Sequence, residues 1–252
     1  MALEMMAANR LRRSNGGIVR SLIVCGLVLA SGLVVGAPLE SANGRLMRVA
    51  RGKLCVTEGA IEELAGGRLS VKAPKMRAYL NEATPQIVEA DFTYLGSTGN
   101  EARLGSGELR RQFGLKLRAQ DACNLVYAMW RIEPESKIVV SVKSNPGQHN
   151  SSQCGNRGYR NIKPRRSSAV PALRSGSAHV LRAEMSGAEM KVFADGSLVW
   201  EGFIGPGALG FDGPVGIRSD NARLELELRT AEPAKAQAGR APGCRTGPDE
   251  SE

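Results

Sequence analysis

The chain has 252 residues with 34 Lys and Arg against 25 Asp and Glu, a net charge of +9, and only 4% of its residues are aromatic. Its two histidines, His149 and His179, exclude a three-histidine metal site, and with no Cys-x-x-Cys pair neither a zinc knuckle nor a thioredoxin-type centre is expected. That length suits one large all-β domain better than two small ones.

At the amino end, Arg10, Arg12, Arg13 and Arg20 precede an apolar run from Leu22 to Ala37, the charge order of a signal peptide, and Val35-Gly36-Ala37 supplies small residues for cleavage. The run is short for a membrane span, so residues 1–37 are expected to be a cleaved signal; an uncleaved anchor is the alternative, and the only route to membrane. Cleavage would remove four Arg and one Glu, leaving 30 basic and 24 acidic residues and a charge of +6. Such a charge suits acidic partners, and export disfavours nucleic acid. The expected location is secreted, extracellular or in the cell envelope. Cys55, Cys123, Cys154 and Cys244 remain, an even number for an oxidising compartment.

From Ile87 onward the dominant period is two. Ile87–Tyr94, Gln112–Ala119, Asn124–Ile132, Lys137–Lys143, His179–Met185, Glu189–Ala194, Ser197–Phe203 and Arg223–Arg229 read as half-buried strands. In the last, Leu224, Leu226 and Leu228 face one way, with Arg223, Glu225, Glu227 and Arg229 opposite. Asp195-Gly196 closes a two-residue hairpin, and Glu133-Pro134-Glu135-Ser136 joins another. The register of that second hairpin brings Cys123 within a loop's reach of Cys154, so a Cys123–Cys154 bridge is expected, with Cys55–Cys244 left by subtraction. Only Thr57–Ala65 suggests a helical turn, with Ile61 and Leu64 at helical spacing. The segment 145–177 reads as a long polar loop, and 231–252 as a disordered tail.

From Val71 to Leu228 the arrangement resembles the concanavalin A-like lectin/glucanase superfamily. The residues that carry the resemblance are the hairpin Lys191 to Gly202 and the Gly-Pro-Val-Gly-Ile-Arg-Ser-Asp-Asn segment at 213–221. It implies an all-β, antiparallel two-sheet jelly roll over about 45–230 whose motifs specify fold better than activity. Retaining glucanases of the superfamily carry Glu-x-Asp-x-x-Glu along one strand. Here Glu89-Ala90-Asp91 begins the pattern, and Tyr94 stands where the second Glu should be. Ser106-Gly107-Glu108-Leu109-Arg110 is similar to one alginate-lyase strand, while that family's other two strands have no counterpart; Glu108 and Arg110 can equally pair as surface charges. The catalytic residues are therefore unknown. No cofactor is expected, and a structural calcium is left open.

Ligand candidates come from strand faces. Gln112, Lys116 and Arg118 should project together, opposite Phe113, Leu115 and Leu117. Trp130, with Val126, Ala128 and Ile132, belongs to the core, so Tyr127 and Arg131 fall on the groove side. Arg110 precedes these strands, and His149 and Tyr159 lean in from the long loop. Cations beside a stackable ring suit an acidic sugar. Three functions follow from this pattern: a secreted module binding a carbohydrate or polysaccharide, a polysaccharide lyase or glycoside hydrolase, and a structural envelope protein without a small ligand.

Overall fold

A computed structural model of the protein describes residues 45–82, 85–231 and 244. The expected signal segment 1–37 lies outside the described residues, as does the expected tail apart from Ala231 and Cys244. In chain order the strands are β1 (Leu46–Arg48), β2 (Leu54–Glu58), β3 (Glu62–Glu63), β4 (Leu69–Val71), β5 (Lys75–Leu80), β6 (Ile87–Ser97), β7 (Arg111–Leu117), β8 (Leu125–Glu133) and β9 (Lys137–Lys143). A one-turn helix α1 (Ser151–Cys154) follows, then β10 (Tyr159–Asn161), β11 (Arg166–Ser167), β12 (Ala178–Ser186), β13 (Glu189–Ala194), β14 (Ser197–Phe203), β15 (Gly216–Asp220) and β16 (Ala222–Ala231).

All described pairings are antiparallel and fall into two sheets. One has the order β11-β14-β13-β12-β6-β16-β4-β3, with β1 also on β16; the other runs β10-β9-β8-β7-β15-β5-β2. The result is an all-β sandwich of two antiparallel sheets. Alternation builds the core between the sheets: Val88, Ala90 and Phe92 of β6 and Leu224, Leu226 and Leu228 of β16 are fully buried, as are Phe113, Leu115 and Leu117 of β7 and Val126, Ala128 and Trp130 of β8. At its centre Phe92 contacts Phe113 and Trp130, with ring centroids 4.9 and 5.9 Å apart. His179 meets the edge of Trp130 at 5.4 Å and bonds Asp195 through Nδ1, a structural position.

Both residues of the Asp195-Gly196 turn take positive φ, 50° and 79°, as a two-residue hairpin requires. Two expectations need correction here. The segment 57–65 is not helical: β2 and β3 use it to pair with β5 and β4, and Gly59 at φ 72° turns the chain between them. Backbone pairing along two sheet edges outweighs two apolar residues at helical spacing. Arg118 does not continue the alternation of β7, because the strand ends at Leu117 and Arg118 takes φ 47°.

Two disulfides close the domain. Cys123–Cys154 (Cα–Cα 5.9 Å) ties the start of β8 to the end of α1, and Cys55–Cys244 (Cα–Cα 5.3 Å) ties β2 to a residue beyond β16.

Candidate functional site

The outward face of the seven-stranded sheet carries a cavity of about 440 Å³. Its floor follows from strand register. Arg218 of β15 sits between Arg77 of β5 and Gly114 of β7, and Gly114 in turn opposite Met129 of β8. Two residues along, Asp220 lies between Lys75 and Gln112, and Gln112 opposite Arg131. Gly114 is required: a Cβ there would stand 2.3 Å from the Ala128 carbonyl oxygen and 2.7 Å from Met129 Cα. Two connections wall the cavity, 98–110 through Ser106, Glu108 and Arg110, and 144–158 through Gly155 and Asn156; they approach each other where Gly105 meets Asn156.

The 144–158 wall is held from inside. Asn124 donates to Asp121 and to the Gln148 carbonyl and accepts from the Asn145 backbone, and Asn145 donates to the Cys123 and Arg157 carbonyls. Asn150 caps α1 reciprocally with Gln153. The Cys123–Cys154 bond fixes the far end, so Asn156 and Tyr159 are presented by a braced segment.

A buried carboxylate organises the floor. Asp220 is fully buried and accepts from Arg77 Nη2 at 2.6 Å, Arg218 Nε at 2.9 Å and Gln112 Nε2 at 2.6 Å. Burial pushes its pKa up, but the Arg218 and Arg77 charges and the hydrogen bonds from Gln112 and Arg218 outweigh it, leaving the carboxyl below its usual range. Arg77 also donates to the Ser219 carbonyl, so both arginines are held rigidly. Beside them lies an aromatic pair: Tyr127 and Tyr159 stack with centroids 6.0 Å apart and planes 25° from parallel. Arg218 lies over the Tyr127 ring at 5.1 Å and donates to the Tyr159 hydroxyl at 3.2 Å, while Lys143 lies over the Tyr159 ring at 5.0 Å.

Arg131 is different. Among the described residues its side chain makes no hydrogen bond or ion pair, its Nε is buried and unpartnered, and so is Gln112 Oε1. Burial, and then repulsion from Arg110, lower the Arg131 pKa, with Glu108 opposing. Arg110 itself pairs with Glu108, as the surface-charge reading expected.

Five of the eight sequence candidates therefore line the cavity: Arg110, Gln112, Tyr127, Arg131 and Tyr159. Three do not. Lys116 faces the same way but is 6% exposed, buried between Gly216 and Tyr127. The positive φ of Arg118 sends its guanidinium to the carbonyls of Ala208, Leu209 and Gly187, where it ties loops together. His149 is two-thirds exposed, with Nδ1 on Asp121 outside the cavity. Sequence reasoning missed Arg77, Arg218 and Asp220, although the alternation Met76/Ala78/Leu80 against Lys75/Arg77/Tyr79 was available to find the first.

Glu89 and Asp91, the opening of the glucanase-like pattern, lie on β6 in the other sheet, engaged with Arg182, Arg229 and Arg68. Among the described residues lining the cavity, Glu108 is the only carboxylate, and no described cluster of three His, Cys, Asp or Glu is placed to hold a metal ion.

No protein-family model matches the chain, and no curated protein does. Solved structures with a similar course include the carbohydrate binding module CBM66 from Bacillus subtilis, at 15% identity over 69% of this chain and 91% of that one, with a TM-score of 0.47. The Emp46p carbohydrate recognition domain is 12% identical over 71% and 87%, with a TM-score of 0.44. The galectin LEC-6 of Caenorhabditis elegans is 7% identical over 73% and 99%, at 0.38.

Proposed function

We propose that this is a secreted carbohydrate-binding protein that holds a glycan in the cavity of its seven-stranded sheet. The observation that carries the reading is the pairing, in one open cavity, of an aromatic stack with polar groups that have no partner among the described residues. A sugar ring offers the complement, an apolar face for Tyr159 and hydroxyls and charges for Gln112 and Arg131. An envelope protein with no small ligand would have a filled or featureless face, whereas this one is hollow and walled on two sides.

Hydrolysis by a carboxylate pair lacks its second carboxylate among the described lining residues. The enzymatic alternative is a lyase in which the Tyr159 hydroxyl, aligned by Arg218, moves the proton. A glycan array with the exported protein and its Tyr159→Ala variant tests the first reading, and ultraviolet absorbance of an unsaturated product tests the alternative. Binding that falls about tenfold or more in the variant, without product, supports a binding module. Binding by the variant equal to the parent's would remove the cavity from consideration.

A further inference from the structure

We infer that the corner formed by Arg110, Arg131 and Gln112 is the subsite for an internal uronate residue of the glycan, with Arg131 taking its carboxylate and Gln112 Oε1 accepting from a ring hydroxyl beside it. This assignment rests on the carbohydrate reading above and narrows it to a ligand class.

Three observations carry it. The first is complementary vacancy. Gln112, which lines the cavity, is 3% exposed; its Nε2 is committed to Asp220 and its Oε1 is buried without a partner among the described residues. Arg131 stands directly opposite Gln112 across the β7–β8 pair, and its Nε is buried and unpartnered among the described residues. An acceptor and a cation side by side are satisfied together by one group that brings a hydroxyl donor next to an anion. A sugar acid does so. A neutral sugar would leave the guanidinium charge uncompensated, and a simple anion would leave the amide oxygen without a donor.

The second observation is charge. Glu108 is taken by Arg110, and Glu133 and Glu135 of the second cavity by Arg111 and Lys137, so among the described residues Arg131 is the cation of the corner left for a ligand carboxylate. A planar carboxylate matches the guanidinium fork in two-point contact. Burial first, and then the charge of Arg110, lower the Arg131 pKa.

The third is position. A second cavity of about 360 Å³, bordered by Leu109, Glu133, Pro134, Glu135 and Lys137, shares Glu108, Arg110 and Arg131 with the first. The corner is thus the junction of two cavities, and a sugar bound there has room for a neighbour on each side. Such a site takes an internal residue rather than a chain end.

Titration calorimetry with the exported protein tests this, using oligogalacturonate, oligomannuronate, carboxyl-reduced oligogalacturonate, a sulfated galactan and a neutral β-glucan as probes. Wild type should bind at least one uronate, and carboxyl reduction should weaken it about ten- to hundredfold, the range for charge-assisted hydrogen bonds. Arg131→Gln should lose a similar factor for the uronate and nothing for the reduced oligomer, while Arg131→Lys retains part of the affinity; thermal melts confirm that both variants fold. If neutral glycans bind and uronates gain nothing, the subsite is wrong and the carbohydrate reading stands. If no glycan binds, both fall. Equal binding of the sulfated galactan, with equal loss in Arg131→Gln, would overturn the carboxylate assignment in favour of sulfate.

Discussion

Replacing Asp220 by Asn tests whether the buried carboxylate is the keystone of the cavity floor. The side chain accepts three hydrogen bonds, from Arg77, Arg218 and Gln112, and the two arginines are 2% and 7% exposed. An amide at this position keeps one acceptor oxygen but turns an NH₂ toward a donor. It also deprives two buried guanidiniums of the anion they share, although Arg77 Nε keeps Glu58 at 3.7 Å. Breaking a buried charge pair from one side costs about 3–5 kcal/mol. At about 2–4 °C per kcal/mol for a domain of this size, the melting temperature should fall by about 6–20 °C. The pH dependence has a definite sign. The folded-state pKa of Asp220 lies below its unfolded value, so its contribution is fully present above about pH 4 and lost as pH falls through the folded pKa. Urea titrations at neutral pH and near pH 3 should therefore find the variant's deficit large at the first and reduced at the second. A deficit under about 1 kcal/mol at neutral pH would refute the keystone role.

Arg118→Ala removes a guanidinium bound to three loop carbonyls, so it should cost about 1.5–3 kcal/mol in urea unfolding and leave glycan affinity within twofold, about the reverse of what a groove cation would do. Converting Cys123 and Cys154 together to Ser opens a loop of 31 residues and should cost about 3–4 kcal/mol by loop entropy, measured by the same titration; an unchanged midpoint would count against the bracing of the 144–158 wall. Gly114→Ala drives a Cβ into the backbone of β8, and its melting temperature should drop by several degrees even though one methyl group is all that is added.

Much of the fold was legible because one face of each long strand is buried. Where alternation is clean, as in Leu224/Leu226/Leu228, register and sheet face followed directly, and the placing of Trp130 inside with Tyr127 and Arg131 outside came from the same count. The short strands β1 to β4, β10 and β11 gave no such signal, since two to five residues cannot display a period and their pairing is decided by neighbours distant in sequence. Arg118 shows where alternation misleads: it holds only while the strand lasts, and one left-handed residue redirects a side chain by more than any face count allows. The Asp220 cluster escaped because β5, β7 and β15 meet through contacts over a hundred residues apart, and nothing local marks Arg77 as the partner of Asp220.

The division of cations between Asp220 and the open corner bears on how the protein responds to ionic strength. Charges sealed against their counter-charge are screened little by dissolved ions, whereas exposed ones are screened over about 10 Å at 0.1 M salt. Arg77 and Arg218 already hold their anion, so raising the salt should leave the shape of the floor intact. Arg131, whose counter-ion has to come from outside, should feel the full effect. A medium of varying salinity would then tune occupancy of the groove without touching its geometry, and a bound glycan could be released by brine from a protein that stays folded.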